Sequence, residues 1–339
     1  MALLTDVTDR YAEAAGCDAL YEVRDARVGL HAFVALHDLS RGPGYGGVRR
    51  RVYASSREAV HEVVGLAEGM TLKTAFAGLP AGGAKSVILD DGSGRDPGPI
   101  YLALGQAIEE LDGSFFAGPD VGTSESELVA LRQTTRWVST VAANPSGSTA
   151  AGVVAGCRAA LEHLGLGGPI RAAVVGVGSV GREVARGLAG LGLSLVVSDI
   201  DPLKAQSIAD ELGATIADPH ALPPCDLLVP CALGPVVTEA NVAAFGCQII
   251  CGSANHQLDT TTLAHDLDAA GILYVPDFAV NAGAVIEGVM RRQATADADL
   301  GRELRRALDD IGPRARRMLA LAVEHEITPL EAALMMIGE

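Results

Sequence analysis

The sequence predicts an α/β protein of two domains with a C-terminal helical tail. Three observations carry that prediction. The chain has 339 residues, enough for about two domains at roughly 150 residues each. From residue 145 onward, short apolar runs alternate with helical periodicity, the pattern of a parallel sheet covered by helices. Between one such run and the helix after it stand three glycines, Gly176, Gly178 and Gly181.

Composition narrows the classes. Hydrophobic residues make up 49 % and charged residues 20 %, which excludes a disordered chain. The 26 Lys+Arg against 42 Asp+Glu leave a formal charge of −16. A surface this acidic repels phosphate backbones and anionic lipid, so neither nucleic acid nor membrane is expected as a partner. No apolar run approaches the ~20 residues of a membrane helix. The first residues, MALLTDVTDR, lack the basic start and apolar stretch of a signal peptide. Cys17, Cys157, Cys225, Cys231, Cys247 and Cys251 form no C-x-x-C pair and have no histidine at zinc-ligand spacing. Reduced thiols, a cytoplasmic location and no metal site are therefore expected.

The elements follow in order. Residues 22–52 alternate apolar and polar side chains, the period of strands. Residues 55–69 read as a helix with Ser56 as N-cap, since Ala59, Val60, Val63, Val64 and Ala67 recur on one face. KSVILD (85–90) reads as a buried strand, residues 98–111 as a helix, and SFFAGPDVGTS as a short strand with a turn. An Ala-rich helix opens near Asn144 and ends at Gly165. Strands RAAVVGVG, SLVVSDID, CDLLVPC, QIICGS and ILYVPD follow, with helices at 180–191 and 202–212. The tail from Asp299 is helical, and Thr328-Pro329-Leu330-Glu331 opens its last helix. The expected division is 1–144 for substrate, catalysis and oligomerisation, 145–290 for a dinucleotide, and 291–339 for a tail packing back across both.

The triplet reads G-V-G-S-V-G. Gly176 allows a tight turn, Gly178 lets backbone approach a pyrophosphate, and Gly181 lets helix pack on strand, as in a Rossmann domain. Ser179 and Val180 complete the turn, whose helix N-terminus offers free N–H groups to phosphates. Asp199 ends the next strand eighteen residues beyond Gly181, near the ~20 expected of a ribose-binding acid. Its charge disfavours a 2′-phosphate, and no arginine directly follows it, so the expected cofactor is NAD rather than NADP. Ile200, beside it, joins the expected cofactor contacts.

A nicotinamide moves hydride, so side chains must handle the protons. Lys73 and Lys85 stand twelve residues apart around a Gly-rich loop in strongly apolar sequence. Burial and a neighbouring cation both favour a neutral amine, which makes such a lysine a base. A single lysine would read as a side chain snorkelling from a half-buried strand; the pair reads as chemistry.

Six segments in the same order, GPGYGGVR, GMTLKTAFAGLPAGGAK, GPDVGTS, GVGSVG, GSANHQL and VPDFAVNAGAVIEG, resemble the Glu/Leu/Phe/Val amino-acid dehydrogenases. They span about residues 30–290 and are most similar to the leucine, valine and phenylalanine branch, with its tryptophan-specific relatives. The resemblance implies reversible oxidation of an L-amino acid by NAD to a 2-oxo acid, ammonia and NADH, in a homo-oligomer. It also implies roles. Lys73 and the backbone of Gly46 and Gly47 hold the substrate carboxylate. Lys85 is the general base toward water, Asp120 holds the amino group and shares in proton transfer, and Thr149 and Asn281 position the nicotinamide carboxamide. The chemistry is consistent with this: an amino acid needs one fixed cation and one fixed anion, and the iminium needs a base to activate water.

Several positions depart from the family pattern. Tyr45 stands where a small or aliphatic residue is usual, His256 where an asparagine is usual, with Asn255 beside it, and GGAK replaces GGGK. A neutral histidine still donates one hydrogen bond. Val285 and Gly288 occupy positions that select side-chain size, and Gly288 enlarges the pocket. With Gly-Pro before Asp120 as in the phenylalanine branch, a bulky or aromatic substrate (Phe or Trp) is expected, with leucine or valine as the alternative. Two other readings compete: a shikimate- or hydroxy-acid-type dehydrogenase, against which the Lys73/Lys85 pair argues, and a catalytically altered NAD-binding relative, against which the retained Lys73, Lys85, Asp120 and glycine turn argue.

Overall fold

Residues 3–138, 144–232, 234–294 and 297–338 are described by a computed structural model. The chain divides into two units, Met1–Ala142 with Gly288–Thr295, and Ala143–Glu287 with Ala296–Glu339.

The first unit is built on six strands, β1 (Leu3–Asp6), β2 (Ala19–Asp25), β3 (Leu30–Asp38), β4 (Gly44–Arg51), β5 (Gly82–Leu89) and β6 (Phe115–Gly118), in the order β1-β2-β3-β5-β4-β6. β1, β2, β3 and β5 pair antiparallel, whereas β4 pairs parallel with both β5 and β6. Its helices are α1 (Ser56–Phe76), α2 (Gly98–Glu110) and α3 (Glu125–Arg132). Alternation splits the strands between two cores. Ala32, Val34, Leu36, Val48, Ala84 and Ile88 pack against α2 and α3, while Phe33, Ala35 and Val87 pack under Ala59, Val60, Val63 and Ala67 of α1. Lys85 shares the strand parity of Val87, so a charged residue sits on the apolar α1 side.

Two boundaries differ from expectation. Ser55, not Ser56, is the N-cap of α1, its side chain accepting from the Glu58 N–H. The helix also runs on past Gly69 to Phe76, because Thr71, Thr74, Ala75 and Phe76 continue its buried stripe. Lys73 therefore lies on a helix rather than in a loop. β1 and α3 were not anticipated, being four and eight residues long, too short to show a clear period.

The second unit opens with α4 (Pro145–His163), capped by Asn144. Six parallel strands follow: β7 (Arg171–Val175), β8 (Ser194–Ser198), β9 (Thr215–Ile216), β10 (Leu227–Pro230), β11 (Ile249–Ile250) and β12 (Leu273–Tyr274). Their order, β12-β11-β10-β7-β8-β9, is that of a Rossmann sheet, with the reversal at β7 and β10 where ligands bind beyond the strand ends. The helices are α5 (Ser179–Gly190), α6 (Pro202–Leu212), α7 (Leu263–Ala269), α8 (Asp277–Val280) and α9 (Gly283–Gln293), then α10 (Asp297–Asp309), α11 (Ile311–His325) and α12 (Pro329–Gly338). α11 packs on α4 and α12. Thr328 and Glu331 form the reciprocal cap that opens α12. The six cysteines are free thiols. Among the described residues no helix is long and apolar enough to cross a membrane, and no cluster of metal-binding side chains occurs.

Candidate active site

In the first unit β4, α1 and β5 form one strand–helix–strand crossover, which returns the end of α1 to the start of β5. Gly83 makes the approach close, since a Cβ there would collide with the backbone N and hydroxyl of Thr71. Lys73 follows Thr71 by two residues on α1, and Lys85 follows Gly83 by two on β5. The crossover thus brings both lysines to one end of the unit.

Lys85, 7 % exposed, places Nζ 2.6 Å from Asp120 Oδ2. Asp120 follows β6 by two residues. Burial works to raise its carboxyl, but the Lys85 ammonium and the Arg49 guanidinium outweigh this and hold it well below the usual carboxylate range. The approach depends on Gly47, where a Cβ would lie 2.5 Å from the Pro119 carbonyl oxygen and 2.8 Å from Asp120 Cβ. At Gly46 a Cβ would collide with the Ala84 carbonyl. β4 pairs with β5 at Gly44 and Tyr45 and again from Val48, skipping these two glycines.

Tyr45 is buried and stacks on Phe116, ring centroids 4.8 Å apart at 11°. Phe116 meets Trp137 edge-on at 5.3 Å, and the Arg292 guanidinium lies over both rings, 5.3 Å from Phe116 and 5.8 Å from Trp137. Gly288 precedes Arg292 by one helical turn and so shares its face of α9. A Cβ on Gly288 would meet nothing within 4 Å. Val285, one turn earlier on α9, is half-buried.

In the second unit the glycine turn lies at the end of β7. Gly176 has φ +89°, and a Cβ there would lie 2.8 Å from the Ala232 backbone N. At Gly181 it would collide with the Gly176 carbonyl, whereas at Gly178 it would enter open space. Gly178 caps α5 without a side chain, so the first helical N–H groups beside Ser179 and Val180 have no side-chain acceptor. Asp199 accepts hydrogen bonds from the Val177 and Asp201 N–H groups at 2.9 Å each, which orients its carboxylate beside the turn. Ile200 is 85 % exposed.

Two further glycines bring Thr149 and Asn281 into neighbouring segments. Cβ atoms at Gly152 and Gly283 would collide with the Val280 and Ser148 carbonyls, so α4 lies tight against residues 280–283. Both Thr149 and Asn281 are buried. Asn281 Nδ2 donates to the Ser253 carbonyl at 3.1 Å and to Asn255 Oδ1 at 3.2 Å. Its buried Oδ1 has no hydrogen-bond partner among the described residues, which leaves an acceptor open. His256 is exposed and holds a left-handed φ of 52°. Asn255, not His256, touches Asn281.

Sequence reasoning passed over Arg49 and Glu62. Arg49 sits in β4, where the alternation points it to the Lys85 side, and a charged residue on that apolar face is the available signal. Phe116 lies within an expected strand, and its pairing partner Tyr45 emerges from the register.

Two family profiles match the chain. Residues 20–137 match the one described as Glu/Leu/Phe/Val dehydrogenase, dimerisation domain, and residues 197–298 the one described as Glutamate/Leucine/Phenylalanine/Valine dehydrogenase. A leucine dehydrogenase of Thermoactinomyces intermedius is 34 % identical over 313 residues, 89 % of this chain and 83 % of its own length. A phenylalanine dehydrogenase of Lysinibacillus sphaericus is 34 % identical over 297 residues, 82 % and 77 % of the two chains. Among solved structures, the L-tryptophan dehydrogenase from Nostoc punctiforme superposes with a TM-score of 0.80 at 28 % identity, covering 95 % of each chain.

Proposed function

We propose that this chain, which belongs to the Glu/Leu/Phe/Val dehydrogenase family and is an oxidoreductase acting on the CH–NH2 group of amino acids, oxidises a bulky hydrophobic L-amino acid with NAD. Amino acid, NAD and water give the 2-oxo acid, ammonium, NADH and a proton, and the reaction runs in both directions. The observation that carries this reading is the buried Lys85–Asp120 pair at 2.6 Å.

In this reading Lys73 and the Gly46–Gly47 backbone receive the substrate carboxylate, and Asp120 receives the ammonium. Bound NAD supplies the hydride acceptor. Lys85, once its ammonium has released a proton to solvent, takes at Nζ a proton from the water that attacks the substrate carbon, and Asp120 Oδ2, in contact with Nζ, keeps the amine in place during the transfer. The open side of Gly178, the uncapped start of α5 and the orphaned Asn281 Oδ1 fit a dinucleotide: pyrophosphate at the turn, carboxamide at Asn281 and Thr149. Asp199 supports NAD over NADP, because a 2′-phosphate beside a carboxylate is repelled. The dimerisation-domain profile over residues 20–137 supports a homo-oligomer.

The substrate side chain is read from one wall. Tyr45 and Phe116 stack in a buried aromatic cluster capped by Arg292, and Gly288 leaves space on the helical face that carries Arg292. A ring of phenylalanine or tryptophan size fits that space beside the cluster. NADH formation over a panel of L-amino acids, with NAD and with NADP, tests the proposal. Turnover of Phe or Trp above Leu and Val is expected, with NAD preferred. Preference for Leu or Val means that Tyr45 fills the space that Gly288 opens. No turnover with any amino acid overturns the reading.

A further inference from the structure

We propose that Arg49, anchored by Glu62, is a positioning residue that fixes the Asp120 carboxylate toward Lys85 and the substrate ammonium. The proposal rests on the reading of Asp120 as the ammonium acceptor. Arg49 directs three donors at two carboxylates. Its Nε donates to Asp120 Oδ2 at 3.2 Å and its Nη2 to Oδ1 at 3.3 Å, while Nη1 donates to Glu62 Oε1 at 2.6 Å. Asp120 Oδ1 also accepts from the Val121 N–H at 2.7 Å, and Oδ2 faces Lys85 Nζ at 2.6 Å. A carboxylate offers about four acceptor sites; the Arg49 fork and the Val121 N–H take three of them and define its plane, and the fourth, on Oδ2, is shared between Lys85 Nζ and the substrate ammonium. The planar fork is what a lysine cannot reproduce.

Charge balance gives Glu62 its part. While Lys85 carries its proton, Lys85 and Arg49 set two cations against one carboxylate, a combination that would repel an incoming ammonium. Glu62, paired with Arg49, offsets that excess. Arg51 reaches Glu62 at 3.4 Å from a half-exposed position, and the Tyr53 phenol lies beside it. All are at least partly buried on the α1 side of the sheet except Arg51: the Arg49, Asp120 and Glu62 side chains are 12 %, 14 % and 21 % exposed. Glu62 and Lys73 lie three turns apart on one face of α1, so the same helix carries the balancing anion and the carboxylate-binding cation.

The test compares wild type with Arg49→Leu, Arg49→Lys and Glu62→Gln in initial-rate kinetics across pH, alongside carbon-13 NMR titration of the Asp120 carboxyl. Arg49→Leu is expected to lower kcat/KM roughly tenfold or more and to move the Asp120 carboxyl titration up by about one pH unit. Arg49→Lys should restore the carboxyl titration but only part of kcat/KM, since it returns the charge without the fork. Glu62→Gln should raise KM for the amino acid several-fold while leaving kcat nearly unchanged. An unmoved Asp120 carboxyl titration in Arg49→Leu overturns the proposal. If Arg49→Leu does not fold, an Arg49→Lys enzyme with full kcat/KM together with an unchanged KM in Glu62→Gln overturns it. Wild type inactive on every amino acid defeats the reading of the site instead, and the carboxyl titration then still decides whether Arg49 governs Asp120.

Discussion

Asp120 reaches Lys85 because residue 47 has no side chain, and that gives the first prediction. Gly47→Ala sets a Cβ against the Pro119 carbonyl and Asp120 Cβ, so the segment carrying Asp120 must shift. Misplacement of this size costs about a hundredfold in kcat/KM, measurable in initial rates. Gly178→Ala makes the complementary case, because its Cβ meets no protein atom. Its thermal midpoint should stay within about 1 °C of wild type while the Kd for NAD, followed by calorimetry, rises at least several-fold. A Kd unchanged by the methyl removes the turn from the dinucleotide site. Both glycines were readable from their motifs. Arg49 was not: a guanidinium in an alternating strand reads as a surface charge until the register turns it toward Asp120.

At the scale of elements, α1 holds the site together through its length. Ser55 caps its first turn, and the helix continues seven residues past Gly69 to carry Lys73 beside β5. A glycine inside a helix costs about 1 kcal/mol against alanine and often marks an end, which is why the sequence suggested a stop there. Burial of Thr71, Thr74 and Phe76 prevails over that preference. Ser55→Ala removes the cap bond to Glu58 and should lower unfolding free energy by about 1 kcal/mol, read as a shift in urea midpoint at constant slope. The segment around Asn255 teaches the opposite lesson. The family motif puts His256 at the asparagine position with Asn255 beside it; the backbone adopts a left-handed turn at His256, and Asn255 bonds Asn281.

For the whole molecule, Asp120 is one of the charged groups that contribute to its response to acid. Asp120 titrates well below its ordinary range when folded and near 3.9 when unfolded. In that window the unfolded chain binds the extra proton, so this carboxylate stabilises the fold above about pH 4, and the contribution fades as pH falls. Wild type should therefore exceed Asp120→Asn in unfolding free energy at neutral pH, with the difference narrowing below about pH 4. A difference constant from neutral to strong acid removes the ion pairs as its source. The tail belongs to the second unit, where α11 lies on α4, yet Gly288–Thr295 belong to the first. One helix, α9, thus contributes residues to both.

Local signals in the chain were enough to specify the parallel sheet, the glycine turn, the acid after β8 and the two lysines. Each depends on neighbours within a few residues: a period, a glycine beside a strand, a charge in apolar surroundings. Folding supplied what depends on partners far apart in the chain. Asp120 meets Lys85 and Arg49 across three strands, Tyr45 stacks on Phe116 through the register of β4 and β6, and Thr149 approaches residue 281 through two glycines. The physical reason is that a side chain's chemistry is written in its own residue, whereas its charge partners and burial come from packing at distances that no local pattern records.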